Sequence, residues 1–212
     1  MAYGSRNMVS RLFFIWIFII FLLTIKPESI DVVTKINLKY VVVLFSVVLL
    51  SCFFHEFAHW LTGEILGNRM SMSLNGASPI SGEYINEWNT NLVTIAGPVF
   101  TIIQAIVFYF IVNRTKNIYL YPFLFFPFVY RFFAGLANIL GANDEGRFGM
   151  SFGIGLFTVS VIFCSFLLFL VYKSSRKNKL CLKFNLMTFL LCTISLALIV
   201  FIDQYFQIKI IS

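Results

Sequence analysis

The chain has 212 residues, of which 59% are apolar and 12% charged, with 27 phenylalanines and a net charge of +7. Soluble domains run at about 45–50% apolar and about 25% charged, so this composition, with a mean hydropathy of +0.89, excludes a soluble globular enzyme, a disordered tail and a disulfide scaffold. The positive charge is not a nucleic-acid footprint, which needs a basic face on a soluble fold; it reports loop topology and contact with anionic lipid.

A bilayer-crossing helix needs about 20 mostly apolar residues, and six such runs follow one another along the chain. The first, residues 8–25, sits behind Arg6 and Arg11 and is followed by Lys26-Pro27-Glu28 instead of a small-residue cleavage site, so it reads as an uncleaved anchor. The others span residues 40–62, 92–112, 119–140, 150–172 and 184–208. The predicted fold is therefore an all-α membrane protein of about six transmembrane helices. It divides into an anchor and loop (1–39), a core of helices two to five (40–172), and a basic loop with the last helix (173–212). The lipid bilayer is its surroundings, and the compact loops and the Phe, Ile and Asn load suggest a bacterial cell membrane. Cys52, Cys164, Cys181 and Cys192 lie in or near apolar runs without metal-type spacing and read as free thiols.

The longest loop, residues 63–90, separates the second and third runs. Within it Met70-Ser71-Met72-Ser73-Leu74 alternates with period two and Asn75-Gly76 follows as a turn signal, which predicts a short strand or hairpin near the membrane surface. An exposed edge there would hold an extended segment by main-chain pairing.

Several runs carry a polar or small stripe at helical spacing. In the third run it is Asn91, Thr94, Pro98 and Thr101, with Gln104 beside it; in the fourth it is Arg131, Gly135 and Asn138. Small and polar residues collect where membrane helices face one another, so the third-run stripe reads first as a packing seam, and Arg131 as a structural residue paired with a buried acid. The second run differs: Ser51, Cys52, His55, Glu56, His59, Thr62 and Gly63 share one face, and three of them ionise.

These three form His55-Glu56-Phe57-Ala58-His59, an HExxH on a helix, and use both histidines of the chain. Residues four apart project on one face, so both imidazoles reach one metal ion, and the glutamate lies beside its bound water. Zinc lowers the pKa of that water to about 7, and a carboxylate takes its proton as it attacks a carbonyl. Each ionisable group at mid-helix costs about 2.5–3.5 kcal/mol on insertion scales, which a bound cation offsets. Catalytic zinc usually has three protein ligands, and with no third histidine the remaining one must be a carboxylate. Glu64 points away from the histidine face, while Asp31, Glu83, Glu87, Asp144, Glu145 and Asp203 are the other acids in question.

An HExxH inside a membrane helix, then Ala96-Gly97-Pro98, then an Asn and Asp144-Glu145-Gly146-Arg147, resembles the site-2 protease family of intramembrane zinc metalloproteases over roughly residues 50–150. The resemblance implies His55, His59 and Asp144 as zinc ligands, Glu56 as general base and Asn138 as a residue positioning substrate or oxyanion. It also implies a membrane-protein substrate cut in or near its transmembrane segment. The family's prolines are missing here and the Asn-to-Asp spacing is short, which keeps Glu145 as a second candidate ligand. The alternatives are a gluzincin-type membrane metalloprotease using Glu83 or Glu87, and a non-catalytic scaffold with a relict site. The basic residues place ten charges in the loops away from the HExxH end and five near it, so the positive-inside rule puts the far loops in the cytoplasm. The resemblance implies the opposite orientation.

Overall fold

The computed structural model describes residues 36–206 and 208–211. The first apolar run, residues 8–25, lies outside the described residues. Among the described residues, five helices are long and apolar enough to cross a membrane.

The first described helix, α1, covers Leu38–Ile65. Asn37 starts it by accepting a hydrogen bond from the Tyr40 amide at 2.9 Å, which satisfies a donor the helix cannot use internally. Its buried side runs through Tyr40, Leu44, Val48, Cys52, His55 and His59, while Val42, Leu49, Leu50, Phe54 and Leu61 are exposed. Both faces are apolar because one meets protein and the other meets lipid. Gly67, at φ +82°, turns the chain out of the helix.

Strands β1 (Met70–Ser73) and β2 (Ala77–Pro79) then form an antiparallel hairpin around Asn75-Gly76. A third strand, β3 (Lys209–Ile211), pairs antiparallel with the other side of β1, giving the order β2-β1-β3. Residues 70–74 were expected to offer a free edge; β1 instead lies in the centre, and the edges belong to β2 and β3. The reason is tertiary: the chain end returns to cover the side of β1 that the hairpin leaves open. The sheet is pinned at two places. Met70 donates its amide to Glu64 Oε1 at 2.6 Å and accepts from Trp60 Nε1 at 3.3 Å. At the turn, Asp203 accepts from Ser73 Oγ at 3.1 Å and from the Leu74 amide at 3.0 Å.

Helix α2 (Glu87–Thr115) is capped by Asn86, which accepts from the Asn89 amide at 2.8 Å. Pro98 sits inside it and has no N–H to give the carbonyl of Thr94, one turn back. A single 3-10 turn (Ile118–Leu120) leads into α3 (Tyr121–Ala137), where the expected run to residue 140 stops three residues early at a turn around Asn138. A short helix, α4 (Asp144–Ser151), follows. The expected fifth span, 150–172, is displaced: the crossing helix α5 is Thr158–Lys177. Gly153 at φ +69° and Gly155 at φ +98° make the intervening bend. The bend stays apolar through Phe148, Phe152, Ile154 and Phe157, so hydropathy alone runs across it. Helix α6 (Leu182–Phe206) completes the bundle, packing on α1 and α3.

Candidate metal centre

The end of α1 that carries His55 and His59 faces α2, and contact is close because Gly97 has no side chain. A Cβ there would collide with Nε2 of His59 and Cε1 of His55. The same helix fixes both rings. The Nδ1–H of His59 donates to the Val93 carbonyl at 2.6 Å. Thr101 donates its hydroxyl proton to the Gly97 carbonyl at 3.0 Å, so its oxygen is left to accept from the Nδ1–H of His55 at 3.0 Å. With both Nδ1 atoms protonated, both Nε2 atoms present lone pairs.

The two lone pairs point at each other and at one carboxylate. Nε2 of His55 and Nε2 of His59 are 3.2 Å apart, and Asp144 Oδ2 lies 3.4 Å from the first and 3.3 Å from the second. All three residues are at least largely buried, and among the described residues they form a group able to hold a metal ion. Three acceptors in mutual contact repel unless a positive charge sits among them. A proton bridges one pair at a time; a metal ion engages all three. A tetrahedral ion with bonds of about 2.0–2.1 Å places its donors about 3.3–3.4 Å apart, and the observed separations match that edge length. The donor set fits zinc.

Asp144 is delivered by its neighbours. Its other oxygen, Oδ1, accepts from Arg147 Nη2 at 2.9 Å, one helical turn on. The next residue, Glu145, turns the opposite way and is held by Arg131 Nη1 at 2.8 Å, both side chains fully buried. Adjacent positions on a helix differ by about 100°, so one acid meets the histidines while the other meets α3. Glu145, the second candidate ligand, is thereby engaged elsewhere. Glu83 and Glu87 are exposed and stand outside the group, as does Asp203 beneath the hairpin. Glu64 is spent on the Met70 amide.

A cavity of about 350 Å³ opens beside the three donors. Glu56 and His59 form one wall; Tyr84, Thr94, Arg131, Asn143, Asp144 and Arg147 line it further, and Asn75, Gly76 and Ala77 of the hairpin close one side. Burial raises the pKa of the Tyr84 phenol, so it faces the cavity as a neutral hydroxyl.

Asn138, expected to position substrate, is not on this wall. Its Nδ2 donates to Ser160 Oγ at 3.1 Å and its Oδ1 accepts from the Asn143 amide at 2.9 Å. Gly146 allows that approach, since a Cβ there would collide with Asn138 Oδ1. Both ends of the amide are used to shape the turn that leads into α4. Asn143 is the asparagine that reaches the cavity. Its Nδ2 donates to the carbonyl of Ala134, and its Oδ1 is buried without a partner. Sequence reasoning missed it; the only signal was its place immediately before Asp144. Thr101 and Thr94, read as part of a packing seam, turn out to orient His55 and to line the cavity respectively. Gln104 does behave as packing glue, donating to Ser51 Oγ at 2.9 Å and to the Phe123 carbonyl at 3.0 Å.

No protein-family model, curated protein or solved structure matches this chain.

Proposed function

We propose that the protein is an intramembrane zinc endopeptidase, which hydrolyses peptide bonds in or near transmembrane segments of other membrane proteins, as the site-2 proteases it resembles do. Its place would be the bacterial cell membrane. The observation that carries this reading is the set of separations of 3.2, 3.3 and 3.4 Å among two histidine lone pairs and one carboxylate, on helices built to cross a membrane.

His55, His59 and Asp144 would hold the ion, which when bound supplies Lewis-acid activation of a water molecule and of the scissile carbonyl. Glu56 lies on the same helix and faces the cavity beside His59. It takes one proton from the water as the oxygen adds to the carbonyl carbon. It returns that proton to the nitrogen as the C–N bond breaks, leaving a carboxylic acid and an amine.

A transmembrane helix offers no free amides, because its own bonds consume them. The substrate must be unwound and held extended. Flanking β2, the Ser73 amide donates to the Gly76 carbonyl at 2.8 Å and the Ile80 amide donates to the Arg69 carbonyl at 2.8 Å. With the alternation of an antiparallel ladder, the amide and carbonyl of Ala77 therefore point outward from β2, at the side of the cavity. An extended segment pairs there in this reading.

Metal content of the purified full chain tests the proposal. Wild type is expected to hold about one zinc per chain, as HExxH sites with one acid do, and His59→Ala and Asp144→Ala to lose it. Glu56→Gln should keep zinc and lose cleavage. A wild-type protein that takes up no divalent metal removes the reading.

A further inference from the structure

We propose that Arg131 is a catalytic residue that stabilises the charge developing on the substrate's carbonyl oxygen in the transition state; this rests on the hydrolytic reading above. A guanidinium within a membrane helix is expensive, and a second buried ion, Glu145, is needed to hold it. If anchoring α4 were its whole purpose, a neutral hydrogen-bonded pair or apolar packing would serve as well or better. The guanidinium also has donors left over. Of its five N–H groups, one is engaged by Glu145 at 2.8 Å, Nε has no partner, and Nη2 lies 3.5 Å from Nε2 of His55. That last contact is at the limit of a hydrogen bond, and it disappears when the His55 lone pair is given to an ion. Nη2 is then a free, charged donor at the edge of the reaction space.

The position is fixed as well as charged. Glu145 holds one edge of the guanidinium and the Tyr130 ring lies 4.4 Å from its centre. Arg131 lines the cavity together with Glu56, His59 and Asp144. The other cation on the cavity wall is Arg147, which is exposed and already bound to Asp144. As water adds to the carbonyl carbon, the π pair moves onto the carbonyl oxygen. A preorganised donor aimed there strengthens its contact in the transition state and not before, which is what lowers a barrier. Asn138, by contrast, is turned to Ser160 and the Asn143 amide and does not line the cavity.

The test uses the full chain, loaded with zinc in detergent, and two probes: N-acetyl-Leu-Leu-amide and the same compound with a phosphinate in place of the peptide bond, a tetrahedral anion. Arg131→Lys keeps the charge but loses the fork. Arg131→Gln combined with Glu145→Gln replaces the ion pair by a neutral hydrogen-bonded one, so that no unpaired carboxylate is left buried. In both variants the phosphinate should bind about 100-fold more weakly, the scale set by loss of one oxyanion donor, while amide binding and zinc content stay at wild-type levels. Unchanged phosphinate binding in both variants overturns the proposal. So does a parallel loss of zinc in both, which would make Arg131 a positioning residue for Asp144. Wild type that holds zinc but binds the phosphinate no better than the amide overturns it too. Wild type without zinc instead removes the hydrolytic reading itself.

Discussion

The two ends of the bundle treat buried polar groups in opposite ways. At the end where α1 begins, donors and acceptors are matched across helices. Tyr40 Oη and Thr188 Oγ1 are 3.0 Å apart; Tyr121 donates to Asn185 Oδ1 at 2.7 Å, and Asn185 donates to Ser175 Oγ at 2.9 Å. Ser174 and Asn178 both donate to Asn113 Oδ1, and of that cluster only the Asn113 amide nitrogen lacks a partner. Aromatic rings of Tyr40, Tyr121, Phe125 and Phe184 fill the space between. At the other end, three acceptors converge with Arg131 Nη2 only at their edge, 3.5 Å from His55 Nε2, while Arg131 Nε, Asn143 Oδ1 and Glu145 Oε2 stay unmatched. Matched pairs hold helices together in lipid. Three acceptors gathered around one point ask for a cation, which is why the second end and not the first is read as functional.

The comparison breaks most sharply at Asp144. Asp144→Asn should abolish zinc uptake, yet the metal-free variant should unfold no earlier than metal-free wild type, because a carboxamide can donate to an imidazole lone pair. Metal analysis and thermal unfolding in detergent check both halves; a destabilised variant would mean that the Asp144 carboxylate holds the cluster together without a cation. Gly97→Ala comes next. Its Cβ must displace a histidine ring, so zinc affinity should fall at least about tenfold, roughly 1.4 kcal/mol, measured against a competing chelator.

Tyr121→Phe probes the matched end. It strands Asn185 Oδ1 and should cost about 1–3 kcal/mol of stability, with zinc content and cleavage unchanged. A change in zinc binding there would show that the two ends are coupled. Ala77→Pro is the mildest of the set: it removes the outward amide of β2 but sits at a sheet edge, where proline is tolerated. Cleavage of a membrane substrate should drop several-fold through loss of about one net hydrogen bond, with metal unaltered. Equal cleavage would take the sheet edge out of the mechanism.

The polar face of α1 was legible because it is local. His55, Glu56 and His59 share one helix, and period alone puts the two rings together. The hairpin was legible for the same reason, through Met70–Ser73 and Asn75-Gly76. The third strand was not: Lys209–Ile211 is too short to carry a pattern, and its partner lies more than 130 residues upstream. The α4–α5 bend escaped notice because glycines interrupt the helix without interrupting its hydropathy. Between Asp144 and Glu145 the only sequence signal was the family resemblance, which pointed to Asp144; helix period does not separate neighbouring acids, which look alike until one of them meets Arg131.

Local rules settled that most of the chain is apolar helix of bilayer length and which residues share a face, because helix period and transfer energy depend on neighbours in the chain, but not where the helix after residue 140 breaks. Long-range packing decided the rest: which acid joins the imidazoles, which asparagine reaches the cavity, and which strand keeps an open edge. Those outcomes depend on how separate helices approach, set by a missing side chain at Gly97 and a buried ion pair between α3 and α4, and no property of a single segment encodes them.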